Sequence, residues 1–344
     1  MSEPAQDTTA SPEAETPLTA SGRFQAARWL RLAGKLMLTA ALLAGLAWYV
    51  DADALWQTLV GANRAVVALA AALVPARIGL EWWIWHRLVA RLEPAVAPRA
   101  TLGSLLCGYT LAVFTPARIG ELAARAYFLP LPDRFAVGSL TFLQGMLTQV
   151  LALVLGVIAA ADFVLRSTPA PMALWILALG YSVGLLALFV PVFVFPKAVH
   201  RWLVRWQRLP KLVQRLAFMQ HFPVATIMPL VGLSAVRFAV LTAQFVLLAR
   251  ALDPAVGFAP LAVAVVLVYW ALYVLPPITL SDLGLREGAA VFFLGVAGVA
   301  SAAAMGASLL IFGLNVLAPA LLGIPFVAQL PSNIKAARNQ PAPL

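Results

Sequence analysis

Apolar residues in this chain run on; they do not alternate. Uninterrupted hydrophobic stretches follow one another at about 36–50, 65–86, 101–129, 136–161, 171–195, 224–249, 258–300 and 303–328, and short charged segments separate them. A helix rising 1.5 Å per residue needs ~20 apolar residues to cross a ~30 Å hydrocarbon core, and several runs meet that length. The pattern predicts an all-α polytopic membrane protein. Two runs are interrupted. Thr115, Pro116 and Gly120 break the run 101–129, and "LPPITLSDLGLREG", residues 275–288 with Pro276, Pro277, Ser281 and Gly284, breaks the run 258–300. Proline removes a backbone donor and glycine loosens the chain, so each run is expected to form two half-helices around a polar turn.

Charge placement orients the runs. Arg23, Arg28, Arg31 and Lys35 precede the first run, and Asp51 and Asp53 close it, which sets the amino terminus in the cytoplasm. Arg87, Arg91 and Arg99 mark one cytoplasmic loop, and Lys197, Arg201, Arg205, Arg208, Lys211 and Arg215 mark another. That second loop faces inward only if residues 101–129 enter and leave from the cytoplasmic side. The same logic has residues 258–300 enter from the outside after Arg250 and Asp253, which leaves Lys335 and Arg338 cytoplasmic. About six full transmembrane helices plus two oppositely oriented re-entrant broken helices result, an inverted repeat with both termini cytoplasmic. A reading of 258–275 and 288–300 as two short spans joined by a loop stays open. Residues 1–22 are expected to form a disordered cytoplasmic tail and 335–344 a short cytoplasmic one. Between them, 23–334 form one transmembrane domain, with halves of about 36–195 and 224–328 joined by a basic amphipathic linker, 197–220.

Composition removes the main alternatives. Charged residues make up 11% of the chain and hydrophobic ones 62%, against about 25% charged in a soluble globule. The net charge of +10 is spread over short segments between runs, which suits lipid headgroups and topology and not a nucleic-acid interface. One cysteine, Cys107, and three scattered histidines give no disulfide and no metal cluster. The chain has no H-E-x-x-H segment, no nucleophile with a base beside it and no phosphate-binding G-x-x-x-x-G-K-[ST] loop. No enzyme activity and no cofactor are expected.

The candidate chemistry lies inside the apolar runs. "PARIGELAAR" and "PITLSDLGLREGAA" share an order: a proline, a short polar turn, a glycine, then a carboxylate opening an Ala-rich helix, Glu121 in one and Glu287 in the other. Each follows a run carrying one internal arginine, Arg77 or Arg237. Arg77 precedes Arg87 by about 15 Å of helix, near mid-bilayer. Paired interrupted segments in two halves are the outline of a transporter whose site lies at the repeat interface. The candidate substrate-binding residues are Arg77, Glu81, Arg118, Glu121, Arg125, Arg237, Asp282, Arg286 and Glu287. A plainer reading is available: Arg77 with Glu81, Glu121 with Arg125 and Asp282 with Arg286 are spaced i, i+4 and can each neutralise within one helix. Against it, one central charge costs roughly 2.5–3.5 kcal/mol on insertion, a heavy cost for structure alone. Trp82, Trp83 and Trp85 are expected in an interfacial belt, and Gln144, Gln149, Gln244 and Asn315 in hydrogen bonds between helices.

"LPPITLSDLGLREGAAVFFLG" is similar to the "lPisigGlGvrEga" signature of the lysylphosphatidylglycerol synthase transmembrane region family, also described as flippase-like membrane domains. "VFTPARIGELAARAYFL" resembles the "n..lP.r.GE..R" signature of the same family. The resemblance covers about residues 30–330 and departs at Ser281-Asp282, where the family often has small glycine-rich residues. It implies a stand-alone flippase-like module of the bacterial cytoplasmic (inner) membrane. "PSNIKAARNQPAPL" closes the sequence, and no soluble synthase domain is expected.

Residues and resemblance together suggest a lipid flippase moving a charged-headgroup lipid between leaflets. Its partners are then membrane lipids, an anionic or aminoacylated phospholipid, with a lipid-modifying enzyme as a further one. Arginines receive the phosphate; Glu81, Glu121, Glu287 and Asp282 hold a cationic headgroup, space the arginines or carry a proton. An ion-coupled transporter of a small solute and a non-transporting scaffold for a lipid-modifying enzyme are the alternatives.

Overall fold

The computed structural model describes residues 37, 44–46, 51–115, 118–131, 133–167, 171–195, 198, 201–202, 205, 222–275 and 283–330. Most of the run 36–50, most of the 197–220 linker, both tails, and Pro116, Pro276, Pro277, Ser281 and Asp282 lie outside the described residues.

Regular structure among the described residues is helical throughout. A short α1, Ala52–Val60, precedes α2, Arg64–Val89. Then come α3, Pro98–Val113, and α4, Ile119–Phe128. Two long helices follow, α5 over Arg134–Ser167 and α6 over Met172–Val194. The second half holds α7, Val224–Leu252, α8, Phe258–Val274, and α9, Leu285–Val296. Its last run is α10, Ser301–Phe312, a π-helical turn, Gly313–Leu317, and α11, Ala318–Val327.

Five of these helical runs are long and apolar enough to cross a membrane: Arg64–Val89, Arg134–Arg166, Met172–Val194, Val224–Leu252 and Ser301–Val327. The chain is a multi-pass membrane protein. Leu155, Ile158, Leu174, Ile176, Leu177 and Leu321 face outward, as apolar side chains do where lipid replaces water. Pro75 and Pro229 sit within α2 and α7, a placement that membrane helices tolerate when neighbours satisfy the freed groups.

The two interrupted runs break where proline and glycine predict. Their pieces have 16 and 10 residues in the first half, and 17 and 12 in the second. At 1.5 Å per residue these are about 24, 15, 26 and 18 Å long, each short of a ~30 Å core. Within each pair the two helices pack on one another across the break. The residue opening the second piece has positive φ in both: Arg118 at 55° and Gly284 at 83°.

The halves meet along α2 and α7, which run antiparallel. Asn63, the N-cap of α2, donates its N–H to the carbonyl of Ala251 near the end of α7 (2.9 Å). Further in, Gln244 Nε2 donates to the Ala70 carbonyl (3.0 Å). Near the middle Arg237 reaches Glu81. The flanking contacts also exchange between halves: α3 packs on α11, and α8 packs on α5. A glycine makes each approach possible. Gly323 of α11 lies against Leu106 and Thr110 of α3, and Gly156 of α5 against Trp270 of α8.

Candidate functional site

The site grows from one carboxylate. Glu81 lies on α2, buried at 7% exposure, and three guanidiniums converge on it. Arg77, one turn earlier, donates from Nη1 to Oε2 (3.1 Å). Arg237 arrives from α7 and donates from Nη1 to the same oxygen (2.6 Å). Arg125 of α4 brings Nη2 within 3.6 Å of Oε1. Arg77 and Arg237 hold corresponding places, each 13 residues beyond the first residue of its helix (64 to 77 and 224 to 237). Since α2 and α7 run antiparallel, these two arginines face one another across the junction, and Glu81 lies between them.

Second contacts fix each arginine. Arg77 Nη2 donates to the Asn315 carbonyl in the π-helical turn (3.4 Å), where the α-helical ladder is interrupted. Arg237 Nη2 donates to Thr148 Oγ1 on α5. Arg125 Nη1 donates to Gln144 Oε1 (2.6 Å), while Gln144 Nε2 donates to the Glu81 carbonyl (3.0 Å). Arg125 also stacks over Trp85, its guanidinium carbon 4.8 Å from the ring centre. Gly108 leaves room for this arrangement, for a Cβ there would stand 3.0 Å from Arg125 Nε.

The first helix break supplies the next carboxylate. Glu121 occupies the third position of α4, where the free N–H groups of a helix start favour negative charge. Arg125 Nη2 donates to its Oε1 (2.5 Å), and Arg118 Nε to its Oε2 (2.8 Å). Arg118 is the N-cap residue, in left-handed backbone that costs a non-glycine residue about 1–2 kcal/mol. Thr115 replaces the missing side-chain cap: its Oγ1 accepts the N–H of Gly120 (2.8 Å) and donates to the Leu111 carbonyl (2.8 Å). Gly120 is needed beside it, because a Cβ would fall 2.5 Å from the Leu111 oxygen.

The second break repeats the position with different partners. Glu287 is again third in its helix and fully buried. Its Oε2 accepts the N–H of Gly284 (2.6 Å), and its Oε1 accepts Ser308 Oγ–H (3.1 Å) and Arg286 Nε–H (3.4 Å). Arg286 lies over the Phe312 ring at 4.9 Å. Its Nη2 is buried with no hydrogen-bond partner.

A polar cavity of about 60 Å³ joins the breaks. Arg118, Arg286, Asn315 and Tyr109 line it, and both amide atoms of the Asn315 side chain are buried without partners. A separate apolar groove of about 380 Å³ opens among α5, α7 and α8, lined by Leu151, Leu155, Ala235, Phe238, Ala243 and Val266. No member of the charged cluster lines this groove, and on α7 its lining residues occupy the face opposite Arg237.

Of the nine candidate binding residues, Arg77, Glu81, Arg118, Glu121, Arg125 and Arg237 form one connected ion network. Arg286 lines the cavity with Arg118 of that network, Glu287 pairs with Arg286, and Asp282 lies outside the described residues. Sequence reasoning missed Tyr109, Thr148, Ser308 and Gly108. Thr148 had a signal, standing one turn from Gln144 on the same face of α5. Trp85 corrects the expectation of an interfacial belt: it is fully buried, donates to Ser104 Oγ (2.8 Å) and supports Arg125. Among the described residues no group of three His, Cys, Asp or Glu side chains is placed to hold a metal ion.

Residues 33–323 match the family described as "Lysylphosphatidylglycerol synthase TM region". No curated protein matches the chain.

Proposed function

The chain belongs to the lysylphosphatidylglycerol synthase transmembrane region family, and from that premise we propose that it is a lipid translocase, moving a charged headgroup between leaflets past the ion network while the acyl tails stay in the bilayer. One observation carries the reading. Five buried or cavity-lining arginines face three carboxylates where two half-helix starts meet at mid-molecule, which is an anion-attracting interior inside a membrane protein. Lone buried pairs in one helix would need none of the contacts between halves.

The architecture we propose is an inverted repeat, α2 to α5 matching α7 to α11, with α3–α4 and α8–α9 as re-entrant pairs. The antiparallel α2 and α7, the matched arginines, the exchanged contacts and the shared third-position carboxylates support it. The membrane is the bacterial inner one, with both termini cytoplasmic, and the partners are phospholipids and an enzyme that modifies them. A single thiol placed at exposed Asp133 in a cysteine-free background is expected to react only from the cytoplasmic side. External labelling there would rule out a re-entrant α3–α4 pair.

Transport is tested by leaflet exchange of fluorescent phospholipids in proteoliposomes. Glu121→Gln or Glu287→Gln is expected to slow exchange at least about tenfold, since each uncouples a half-helix start from its arginine. Full exchange in both variants would refute the translocation mechanism.

A further inference from the structure

Of the six carboxylate oxygens of Glu81, Glu121 and Glu287, five accept hydrogen bonds from protein donors and the sixth, Glu81 Oε1, lies 3.6 Å from a guanidinium nitrogen. Glu81 Oε2 takes Arg77 and Arg237, and its Oε1 pairs with Arg125. Glu121 gives one oxygen to Arg125 and the other to Arg118. Glu287 takes Ser308 and Arg286 on one oxygen and the Gly284 N–H on the other. The free charged capacity is of the opposite kind, and the neutral Asn315 amide beside it offers one donor and one acceptor. Arg286 Nη2, on a residue 8% exposed, has no partner, and Arg286 lines the polar cavity with Arg118 and the unpartnered amide of Asn315. The start of α9 points its own free N–H groups to the same end of the helix.

We propose that this cavity selects an anionic phosphate headgroup and discriminates against one bearing a free ammonium group. The inference rests on the translocase reading and narrows its cargo: each oxygen of the three buried carboxylates already faces a protein donor or guanidinium, whereas a guanidinium nitrogen of Arg286 is free. A cavity of about 60 Å³ has room for roughly four to six water-sized groups at 10–15 Å³ each, which suits phosphate oxygens. A phosphate accepts at every oxygen and meets guanidinium and amide donors; an ammonium only donates, and it enters a field set by five arginines against three carboxylates. The family name points to an aminoacylated lipid, whereas the site chemistry of this chain favours the lipid without the amino acid.

The test is lipid binding by the full-length chain in detergent, read by native mass spectrometry. The probes are short-chain phosphatidylglycerol, phosphatidylcholine, lysyl-phosphatidylglycerol and glycerol phosphate. Phosphatidylglycerol is expected to bind at least about tenfold more tightly than the lysylated lipid. Arg286→Gln is expected to erase the difference and Arg286→Lys to keep part of it. Asn315→Asp, which adds an acceptor, is expected to reverse the preference. Melting curves exclude misfolded variants. Equal or tighter binding of the lysylated lipid overturns the inference, as does lysyl-lipid binding that disappears in Asp282→Asn. Anion preference without leaflet exchange keeps the inference and removes the translocase reading; exchange without preference does the reverse. Glycerol phosphate binding as tightly as the lipid keeps the anion assignment and replaces a lipid cargo with a soluble phosphate.

Discussion

Glu81→Gln is expected to leave little folded protein in the membrane. The substitution keeps size and shape but removes the charge shared by Arg77, Arg237 and Arg125. Arg125 retains Glu121, but Arg77 and Arg237 keep only neutral partners, the Asn315 carbonyl and the Thr148 hydroxyl. Removing one partner of a buried pair costs about 3–5 kcal/mol, and here one removal strands two charges midway along α2 and α7. That approaches the whole stability of an ordinary domain, about 5–15 kcal/mol. The measurement is the fraction of monodisperse protein recovered on extraction, with its melting temperature. A double variant, Glu81→Gln with Arg237→Gln, is expected to recover part of the loss because it removes one charge of each sign. Coupling of about 0.5–3 kcal/mol is the range for residues in one network. A double variant less stable than either single one would show that Glu81 does not act as the shared counter-ion.

The second large effect is steric. Gly323→Ala sets a Cβ 2.0 Å from the Leu106 carbonyl oxygen and 2.3 Å from Thr110 Oγ1, and Gly156→Ala sets one 2.4 Å from Trp270 Cβ. Backbone atoms cannot swing aside, so α3 and α11 would have to separate, which also breaks the Thr110 Oγ1 hydrogen bond to the Ala320 carbonyl (2.7 Å). Overpacking of this kind costs about 1–3 kcal/mol, and more where backbone must move. Membrane helices associate largely through such close approach of small residues. Both variants are expected to lower the melting temperature, Gly323→Ala more. Gly145→Ala, with open space around it, is expected to be neutral. Equal behaviour of all three would mean that close approach at these glycines does not hold the helices together.

The spans were legible because run length is a one-dimensional property of a chain in lipid: α2, α5, α6, α7 and α10–α11 begin and end within a few residues of their hydrophobic runs. The breaks were legible because proline and glycine act locally. The pairings in the site were only half legible. Arg77 with Glu81 and Glu121 with Arg125 follow from helical spacing, but Glu81 with Arg237 joins residues 156 apart and depends on the packing of α2 on α7. The two breaks matched differently from the expected alignment. Glycine order aligns Gly120 with Gly284, whereas the helix starts align Arg118 with Gly284, both with positive φ, and both carboxylates fall at the third position. Trp85 was misread because a tryptophan cluster near a helix end resembles an interface, and only the approach of α3 and α4 buries it. Asn315 was expected to bond between helices. It contributes its carbonyl instead, from a π-helical turn that no local residue preference announces.

The antiparallel meeting of α2 with α7 has a consequence for how the chain is made. Synthesis runs from the amino terminus, so the earlier half enters the bilayer before Arg237 exists. That half carries its own counter-ions: Glu81 and Glu121 offset most of the charge on Arg77, Arg118 and Arg125. The later half brings an arginine whose carboxylate is already in place on a helix made long before. Assembly is then expected to be ordered, with the first half serving as the template on which the second docks. A chain cut in the connecting segment should assemble only when the amino-terminal fragment is present first.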